Sequence, residues 1–162
     1  MQTMKASQFA SFCMMCLLGL NLGAAYAQPY TVSNDGTEVN DLATGLTWRR
    51  CAEGMQGSTC AGTASTYTHE AALQQAASVS TPTLAWRLPN VKELASIADD
   101  NIGNPAIDSS VFPTTPFDKP FWSSTPYVGD PAIAMVVYFS YGHTYSGLRS
   151  SSNYVRLVRT GQ

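Results

Sequence analysis

The stretch WRLPNVKEL, residues 86–94, carries the clearest helix-start signal in this chain of 162 residues. Asn90 is a favoured N-cap residue, and Glu93 follows it three positions later, which is the spacing of a capping box. Apolar residues then recur at helical spacing: Val91, Leu94, Ile97 and Ala98. The stretch therefore predicts a helix that starts after Asn90 and ends in solvent at 99–101.

A second helix is predicted upstream of this stretch, running to about Val79. Thr66 or Thr68 caps it, Glu70 suits its first turn, and Thr81-Pro82 stops it. The apolar face of this helix is expected to consist of Ala72, Leu73, Ala76 and Val79.

Short strands are predicted at both ends of the chain. Residues 30–50 alternate apolar and polar side chains around an Asn-Asp-Gly turn at 34–36, which predicts two or three strands. Three more strands are predicted at 132–141, 144–149 and 153–159, joined by short turns.

The segment between the helices and the last strands has a different composition. Residues 103–131 hold six of the nine prolines and little periodicity, which predicts a long Pro-rich loop region. The chain contains no internal repeat and no linker. Residues 28–162 are therefore expected to form a single α+β domain, with helices in the middle and strands at both ends.

The first 27 residues are predicted to be a secretory signal peptide. Lys5 charges the start, residues 9–22 form an apolar run, and Ala25-Tyr26-Ala27 is a small-x-small cleavage site. The apolar run is shorter than the roughly 20 residues that span a bilayer. A buried N-terminal helix is the alternative, but residues 13–16 leave such a helix no polar face. We expect an exported protein, periplasmic, secreted or on the cell surface, without membrane insertion after cleavage.

Charge and cysteine content narrow the function further. The chain has nine Lys and Arg residues and eleven Asp and Glu residues, so it lacks the excess of positive charge that nucleic-acid binding requires. Cleavage of the signal leaves Cys51 and Cys60, which are predicted to form one disulfide that closes a short polar loop. Their spacing fits neither a CxxC redox pair nor a zinc site.

Catalytic and metal-binding patterns are not found in the sequence. The candidate bases are His69 and His143, and no GxSxG, SxxK or HExxH spacing occurs. Acidic turns at 99–101 and 129–131 offer oxygen ligands for Ca²⁺, but such turns are common in proteins without calcium. We expect no catalytic residue, no metal site and no cofactor.

The most informative segment for function is residues 138–154, which contains four Tyr and five Ser. This composition resembles an antibody paratope, where Tyr supplies wide amphipathic contact and small polar residues supply adaptable hydrogen bonds. The alternative is a half-buried sheet, with Tyr138 and Ser140 on one face and Val137 and Tyr141 on the other. The candidate ligand-binding residues are Tyr127, Tyr141, His143, Tyr145 and Arg149.

Five sequence blocks resemble, in order, the Lcl C-terminal domain family, the module at the end of a collagen-like adhesin and of many exported bacterial proteins. They are DxxTGLxWxR at 41–50, WRLPNxKEL at 86–94, PAID with FP at 105–113, FWSS at 121–124 and YVRLVR at 154–159. The resemblance implies a C-type-lectin-like fold. In that fold the first and last strands pair, two helices flank short antiparallel strands, and a long loop region supports a ligand surface.

The resemblance also indicates which motif residues are structural. Trp48, Trp86, Leu88 and Trp122 are expected in the core. Arg87, Arg156 and Arg159 are candidates for anion binding, but Arg156 and Arg159 are expected on opposite faces of one strand, which disfavours a single clamp. These arginines are instead expected to pair with Asp41, Glu93 or Asp108. The chain departs from the family at Tyr67, where a Trp is common, and at Ala76 or Ala77 and Leu157, where a cysteine pair is common.

Taken with the resemblance, the sequence predicts an exported, non-catalytic ligand-binding or adhesion module that recognises carbohydrate or a surface protein. The alternative is a structural or assembly component of the bacterial envelope that acts through protein contacts. The family link suggests sulfated polysaccharide as one ligand class, which the net negative charge disfavours. An enzyme of the formylglycine-generating type is a third hypothesis, and it requires Cys51 and Cys60 to be free thiols.

Overall fold

The computed structural model describes residues 29–161, and it is α+β, as predicted. The signal peptide predicted for residues 1–27 lies outside the described residues. In chain order the elements are β1 (Tyr30–Val32), β2 (Glu38–Asp41), β3 (Leu46–Arg49), β4 (Thr66–Tyr67), α1 (His69–Val79), α2 (Val91–Ser96), β5 (Phe121–Pro126), β6 (Ile133–Tyr138), β7 (His143–Leu148), β8 (Asn153–Tyr154) and β9 (Val158–Thr160).

The opening strands and the last strand form one antiparallel sheet in the order β1-β2-β3-β9. Asp35 sets the first turn, because its carboxylate accepts hydrogen bonds from the Ser33 hydroxyl and from the backbone and hydroxyl of Thr37. The last strand pairs with β3, with Trp48 opposite Val158. The pairing of first and last strands that the resemblance implied is therefore wrong, since β1 lies at the sheet edge beside β2.

The second sheet has five strands in the order β4-β8-β5-β6-β7. Its strand β5 lies inside the predicted loop region 103–131, so that prediction is wrong for these six residues. Phe121, Trp122 and Ser123 are buried there, and Pro120 and Pro126 stand at the ends of the strand. Proline at a strand end leaves the interior hydrogen bonds intact, so proline content did not exclude a strand.

Both helices form where the capping signals placed them. The Thr68 hydroxyl accepts from the Ala71 backbone and caps α1, while Thr66 belongs to β4. The capping box of Asn90 and Glu93 is present at α2, which is shorter than predicted and ends at Ser96. Leu73 is 43% exposed, so its assignment to the apolar face of α1 is wrong: the buried stripe follows Ala72 and Ala76.

The predicted strand 153–159 is two strands in two different sheets. β8 and β9 are separated by residues 155–157, which connect the five-stranded sheet to the opening sheet. Arg156 and Arg159 therefore do not share one regular strand, and the prediction of opposite faces fails. Arg159 pairs with Glu38, and Arg156 donates to backbone carbonyls, while Arg87 pairs with Glu93 as expected.

Two hydrophobic clusters form the core, one on each face of the five-stranded sheet. Trp48 belongs to the cluster that includes α2, and Trp86, Leu88 and Trp122 belong to the cluster that includes α1. All four predicted core residues are buried. Leu157 and Ala76 lie in the second cluster, with Tyr67 packed against it, so apolar packing holds this part of the core together.

Candidate functional site

The five predicted ligand-binding residues lie on the hairpin formed by β6 and β7 and on its flanking turns. Tyr127, Tyr141 and Tyr145 are 45%, 67% and 51% exposed, His143 is exposed, and Arg149 is half-buried. Cross-strand pairs place Tyr138 opposite His143, Val136 opposite Tyr145 and Ile133 opposite Leu148. The hairpin thus presents three of the chain's exposed large aromatic side chains to solvent.

The five residues do not meet in one pocket. The Tyr127 backbone and the Arg149 Nε both donate to the Ile133 carbonyl, so these two residues are neighbours at the start of β6. Tyr141 and His143 lie at the opposite end of β6, about 20 Å away for a six-residue strand. They form an extended surface rather than a cavity, and their role in binding stays a prediction.

Tyr145 and Tyr138 form the central part of this surface, which we call the tyrosine shelf. Their rings pack edge to face with centroids 5.5 Å apart. Tyr145 shares its sheet face with Val136, and Gly147, the next residue on that face, lies against the Trp122 ring: a Cβ at 147 would be in van der Waals contact, 3.5 Å from Trp122 Cη2. The shelf therefore continues the α1-side core outward into solvent.

β7 is also an edge strand of the five-stranded sheet. All of its residues except Gly147 are exposed, and none is Lys, Arg, Asp, Glu or Pro. The Arg149 backbone N–H donates to the Ala132 carbonyl in register with the hairpin, and hydrogen-bonded pairs alternate along an antiparallel ladder. The N–H and C=O of Thr144 and Ser146 therefore point away from β6, along an edge without the charges or prolines that usually protect one.

A cleft of about 510 Å³ lies at the N-terminus of α1 and contains one predicted site residue, Arg149. His69 lines it and is 3% exposed, and its Nε2 lies 3.1 Å from the Ser123 carbonyl and donates to it. Burial lowers the pKa of His69, and the charge of Arg149 acts in the same direction. His69 also packs edge to face on Trp122 at 5.2 Å, so it is a neutral core histidine.

A second cleft, of about 560 Å³, was not found by sequence reasoning, and we call it the cystine cleft. It lies between the disulfide loop, the outer face of the opening sheet and the end of α1. The Cys51–Cys60 disulfide is confirmed, with Cα atoms 5.2 Å apart. The residues that line the cleft are Thr37, Glu38, Arg49, Cys51, Ala52, Glu53, Gly54, Met55, Gln56, Gly57, Gln75, Val79, Leu84 and Trp86.

Within residues 29–161, most arginine side chains are committed to structural contacts. Arg50 donates to four backbone carbonyls, Arg87 forms a bidentate pair with Glu93, and Arg156 is fully buried. Arg159 lies 2.7 Å from Glu38. Arg49 and Arg149 are the two arginines that line a cleft: Arg49 lines the cystine cleft, and Arg149 lines the cleft at the N-terminus of α1.

The residues that line the cystine cleft are far apart in the sequence. Arg49 and Glu53 flank Cys51, whereas Gln75 and Trp86 come from the end of a helix and from a later motif. No periodicity joins these positions, and only the pairing of the sheet and the disulfide brings them together.

Residues 29–161 contain neither a cluster of metal ligands nor a helix that could span a membrane. No group of three or more His, Cys, Asp and Glu side chains in that range is arranged to hold a metal ion. None of the helices in that range is long and apolar enough to cross a bilayer.

A family model described as the Lcl C-terminal domain matches residues 37–159. The chain belongs to the Lcl C-terminal domain family. The matched range begins just before β2 and ends within β9, so both the hairpin and the cystine cleft are parts of the family domain. No curated protein matches the chain.

Proposed function

We propose that this protein is an exported, non-catalytic module of the adhesin type, which recognises carbohydrate or a surface protein through the β6–β7 hairpin. The observation that carries the proposal is the exposure of Tyr141 and Tyr145, at 67% and 51%. Tyr141 lies in the turn between β6 and β7 and Tyr145 lies on β7, and each leaves a large, partly apolar ring in water instead of packing it into the core. Membership of the Lcl C-terminal domain family supports an adhesin-like module.

The chemistry of the hairpin suits a sugar. The tyrosine shelf offers an amphipathic ring that can stack on the apolar face of a pyranose, with a hydroxyl at its tip. Thr144 and Ser146 add small polar groups on the other face of β7, where they are exposed. The shelf and these hydroxyl groups lie on opposite faces of the edge strand β7, and together they give the hairpin the Tyr- and Ser-rich composition of a paratope.

Export and the C-type-lectin-like fold belong to the same proposal. The predicted signal peptide directs the chain out of the cytoplasm, and the Cys51–Cys60 disulfide is compatible with an oxidising compartment, whether periplasm, surface or medium. The return of β9 to the opening sheet and the packing of two helices against antiparallel strands support a lectin-like arrangement.

We also propose that the module acts by binding alone. The disulfide removes Cys51 and Cys60 from thiol chemistry, which argues against a formylglycine-generating type of reaction. His69 is buried against Trp122 and hydrogen-bonded to the Ser123 carbonyl. His143 is exposed on β7, opposite the last residue of β6. The two candidate bases are thus placed apart.

A glycan array tests the carbohydrate proposal. The chain, purified from an oxidising compartment with its disulfide intact, is applied in calcium and again in chelator. We expect at least one class of glycan to bind equally in both buffers. Failure to bind any glycan in either buffer contradicts carbohydrate recognition.

The position of β7 at the edge of the five-stranded sheet favours a second candidate function, an envelope component that binds protein by strand addition. The outward N–H and C=O groups of Thr144 and Ser146 match those of an extended partner segment. Ser146→Pro removes the outward N–H without breaking a bond to β6. If the partner is a protein, Ser146→Pro abolishes its binding, and that binding is insensitive to salt and to added glycan.

A matched variant distinguishes the two candidates. Tyr145→Ala removes the shelf ring but keeps the backbone edge. Loss of binding in Tyr145→Ala with retention in Ser146→Pro indicates a sugar, and the reverse pattern indicates an added strand.

A further inference from the structure

The cystine cleft holds an arginine whose hydrogen-bond donors are unused among the described residues. The Arg49 guanidinium lies over the Trp86 ring, 5.1 Å from its centroid, which is within cation–π distance. Its nearest carboxylate oxygen is Glu53 Oε1 at 3.7 Å, which is too far for a hydrogen bond. The side chain is 36% exposed and lines the cleft, so its planar set of N–H groups is available to a ligand.

Glu53 supplies the complementary acceptor. Its side chain is 5% exposed, and its Oε2 accepts a hydrogen bond of 2.9 Å from Gln75 Nε2. The Glu53 backbone N–H donates to the Val155 carbonyl, and the Glu53 carbonyl accepts from the Ser65 N–H. Oε1 therefore stands in a fixed position beside Arg49, with lone pairs that no described donor fills at hydrogen-bond distance.

The charge of the cleft selects an uncharged ligand. Arg49 and Glu53 together carry no net charge, and Glu38, which also lines the cleft, is tied to Arg159 at 2.7 Å. An anion in the cleft would meet two carboxylates, one of them almost fully buried, and a cation would meet the Arg49 guanidinium. Each would face a like charge in a partly desolvated site.

The spacing of donor and acceptor selects the ligand's polar group. One atom of the ligand must accept from Arg49 while its neighbour donates to Glu53, only 3.7 Å away. Vicinal hydroxyls do this, because each hydroxyl both donates and accepts. A trans peptide bond does not, because its N–H and C=O point in opposite directions.

We propose that the cystine cleft is a second binding site, for an uncharged saccharide, in which one hydroxyl accepts from Arg49 and its vicinal neighbour donates to Glu53. The apolar part of the ring packs on the rim formed by Met55, Val79 and Leu84. A volume of about 560 Å³ lies within the range of small-ligand pockets. The site does not depend on the function proposed for the hairpin.

The experiment is an ¹H–¹⁵N NMR titration of the ¹⁵N-labelled chain with neutral sugars: glucose, galactose, mannose, N-acetylglucosamine and their disaccharides. We expect at least one to shift the amides of residues 49–57 and the Arg49 Nε–Hε signal. The affinity should be unchanged between low and high salt, because the ligand carries no charge.

Variants locate the site. Arg49→Lys keeps the charge but loses the planar donors, and we expect affinity to fall at least tenfold. Arg159→Lys is the matched control: Arg159 also lies over Trp86, at 5.3 Å, but it does not line the cleft, and affinity should stay within twofold. Tyr145→Ala should leave this binding unchanged, which separates the cleft from the hairpin.

Three results would overturn the proposal. The first is that no neutral sugar shifts residues 49–57 of the wild-type chain, a result that does not depend on any variant folding. The second is that a charged sugar (glucuronate or glucosamine) or a compound with a primary amide (asparagine amide) binds the cleft more tightly than every neutral sugar. The third is that folded Arg49→Lys retains full affinity.

Discussion

Arg156 has the least accessible charge among the described residues, and its contacts are with backbone and aromatic groups. Its guanidinium is 0% exposed and donates to the carbonyls of Arg49 and Arg50 and to the Thr115 hydroxyl. It also lies 4.8 Å from the Phe112 ring centroid. Burial lowers its pKa to about 9, so it remains charged at neutral pH while it links the end of β3 to the loop before β5.

Replacement of Arg156 by Met tests this link. The volume is kept, but the carbonyls of Arg49 and Arg50 lose a buried donor, so we expect the free energy of unfolding to fall by about 2–4 kcal/mol. The measurement is urea unfolding followed by tryptophan fluorescence. Arg87→Met is the control, since it removes an exposed pair with Glu93 and should cost less than about 1 kcal/mol. A similar small loss for Arg156→Met would contradict the role.

His69 makes stability depend on pH. Burial lowers its pKa below the unfolded value of 6.5, so the unfolded chain binds the proton more readily. The contribution of His69 is fully present above about pH 6.5 and is lost as pH falls from there towards the lowered pKa. Urea unfolding between pH 7.5 and 5 should show this loss.

His69→Gln keeps an N–H donor for the Ser123 carbonyl and should flatten the pH dependence in this range. His143→Gln, at an exposed position on β7, should leave the dependence as in the wild type. A dependence that follows His143 rather than His69 would refute the assignment. Glu93 titrates at lower pH, because Arg87 lowers its pKa, and does not contribute here.

At the residue level, the sequence predicted side chains whose role follows from type and spacing. The Cys51–Cys60 disulfide and the burial of Trp48 and Trp122 are such cases. The role of Arg156 could not be predicted, because two of its three acceptors are backbone carbonyls more than a hundred residues away in the chain.

Among the elements, α2 depends most on its cap. The helix has six residues, and the Asn90 side chain accepts from the N–H of both Lys92 and Glu93. The Glu93 carboxylate accepts a hydrogen bond from the Asn90 N–H and another from Arg87. A helix this short gains little from propagation, so capping and the burial of Leu94 and Ile97 maintain it.

Asn90→Ala should therefore destabilise the protein by about 1 kcal/mol, because two backbone donors lose their acceptor. Thermal or urea unfolding measures the loss. Asn90→Asp retains the acceptor oxygen and should stay within about 0.5 kcal/mol of the wild type. Equal stability of Asn90→Ala and the wild type would show that the capping box does not contribute.

Local signals of this kind explain which elements were predicted. Both helices carry caps, and β6 and β7 carry alternating side chains with a turn between them, so each was found from sequence. β5 was missed because proline at its two ends suggested a loop. The division of 153–159 into β8 and β9 was missed because Val155 and Leu157 keep the alternation of a single strand while the chain passes from one sheet to the other.

At the scale of the whole molecule, both candidate sites are products of long-range pairing. The hairpin reaches solvent because β7 lies at the end of the five-stranded sheet, and the cystine cleft exists because the disulfide loop, the outer face of the opening sheet and α1 converge. The sequence identified the Tyr- and Ser-rich segment by composition alone. It did not predict that Tyr127 and Tyr141 lie at opposite ends of β6, since that separation depends on the hairpin register.

The β6–β7 hairpin is the proposed ligand-binding surface. The most direct test of this role compares Tyr141→Ala and Tyr145→Ala with Phe117→Ala on the ligand that the wild-type chain binds. Phe117 is 41% exposed but lies outside the hairpin, so it controls for the loss of any surface aromatic ring. We predict that both tyrosine variants lose at least tenfold in affinity with unchanged melting temperature, while Phe117→Ala binds as the wild type. Full affinity in both tyrosine variants would show that the hairpin is not the ligand-binding surface.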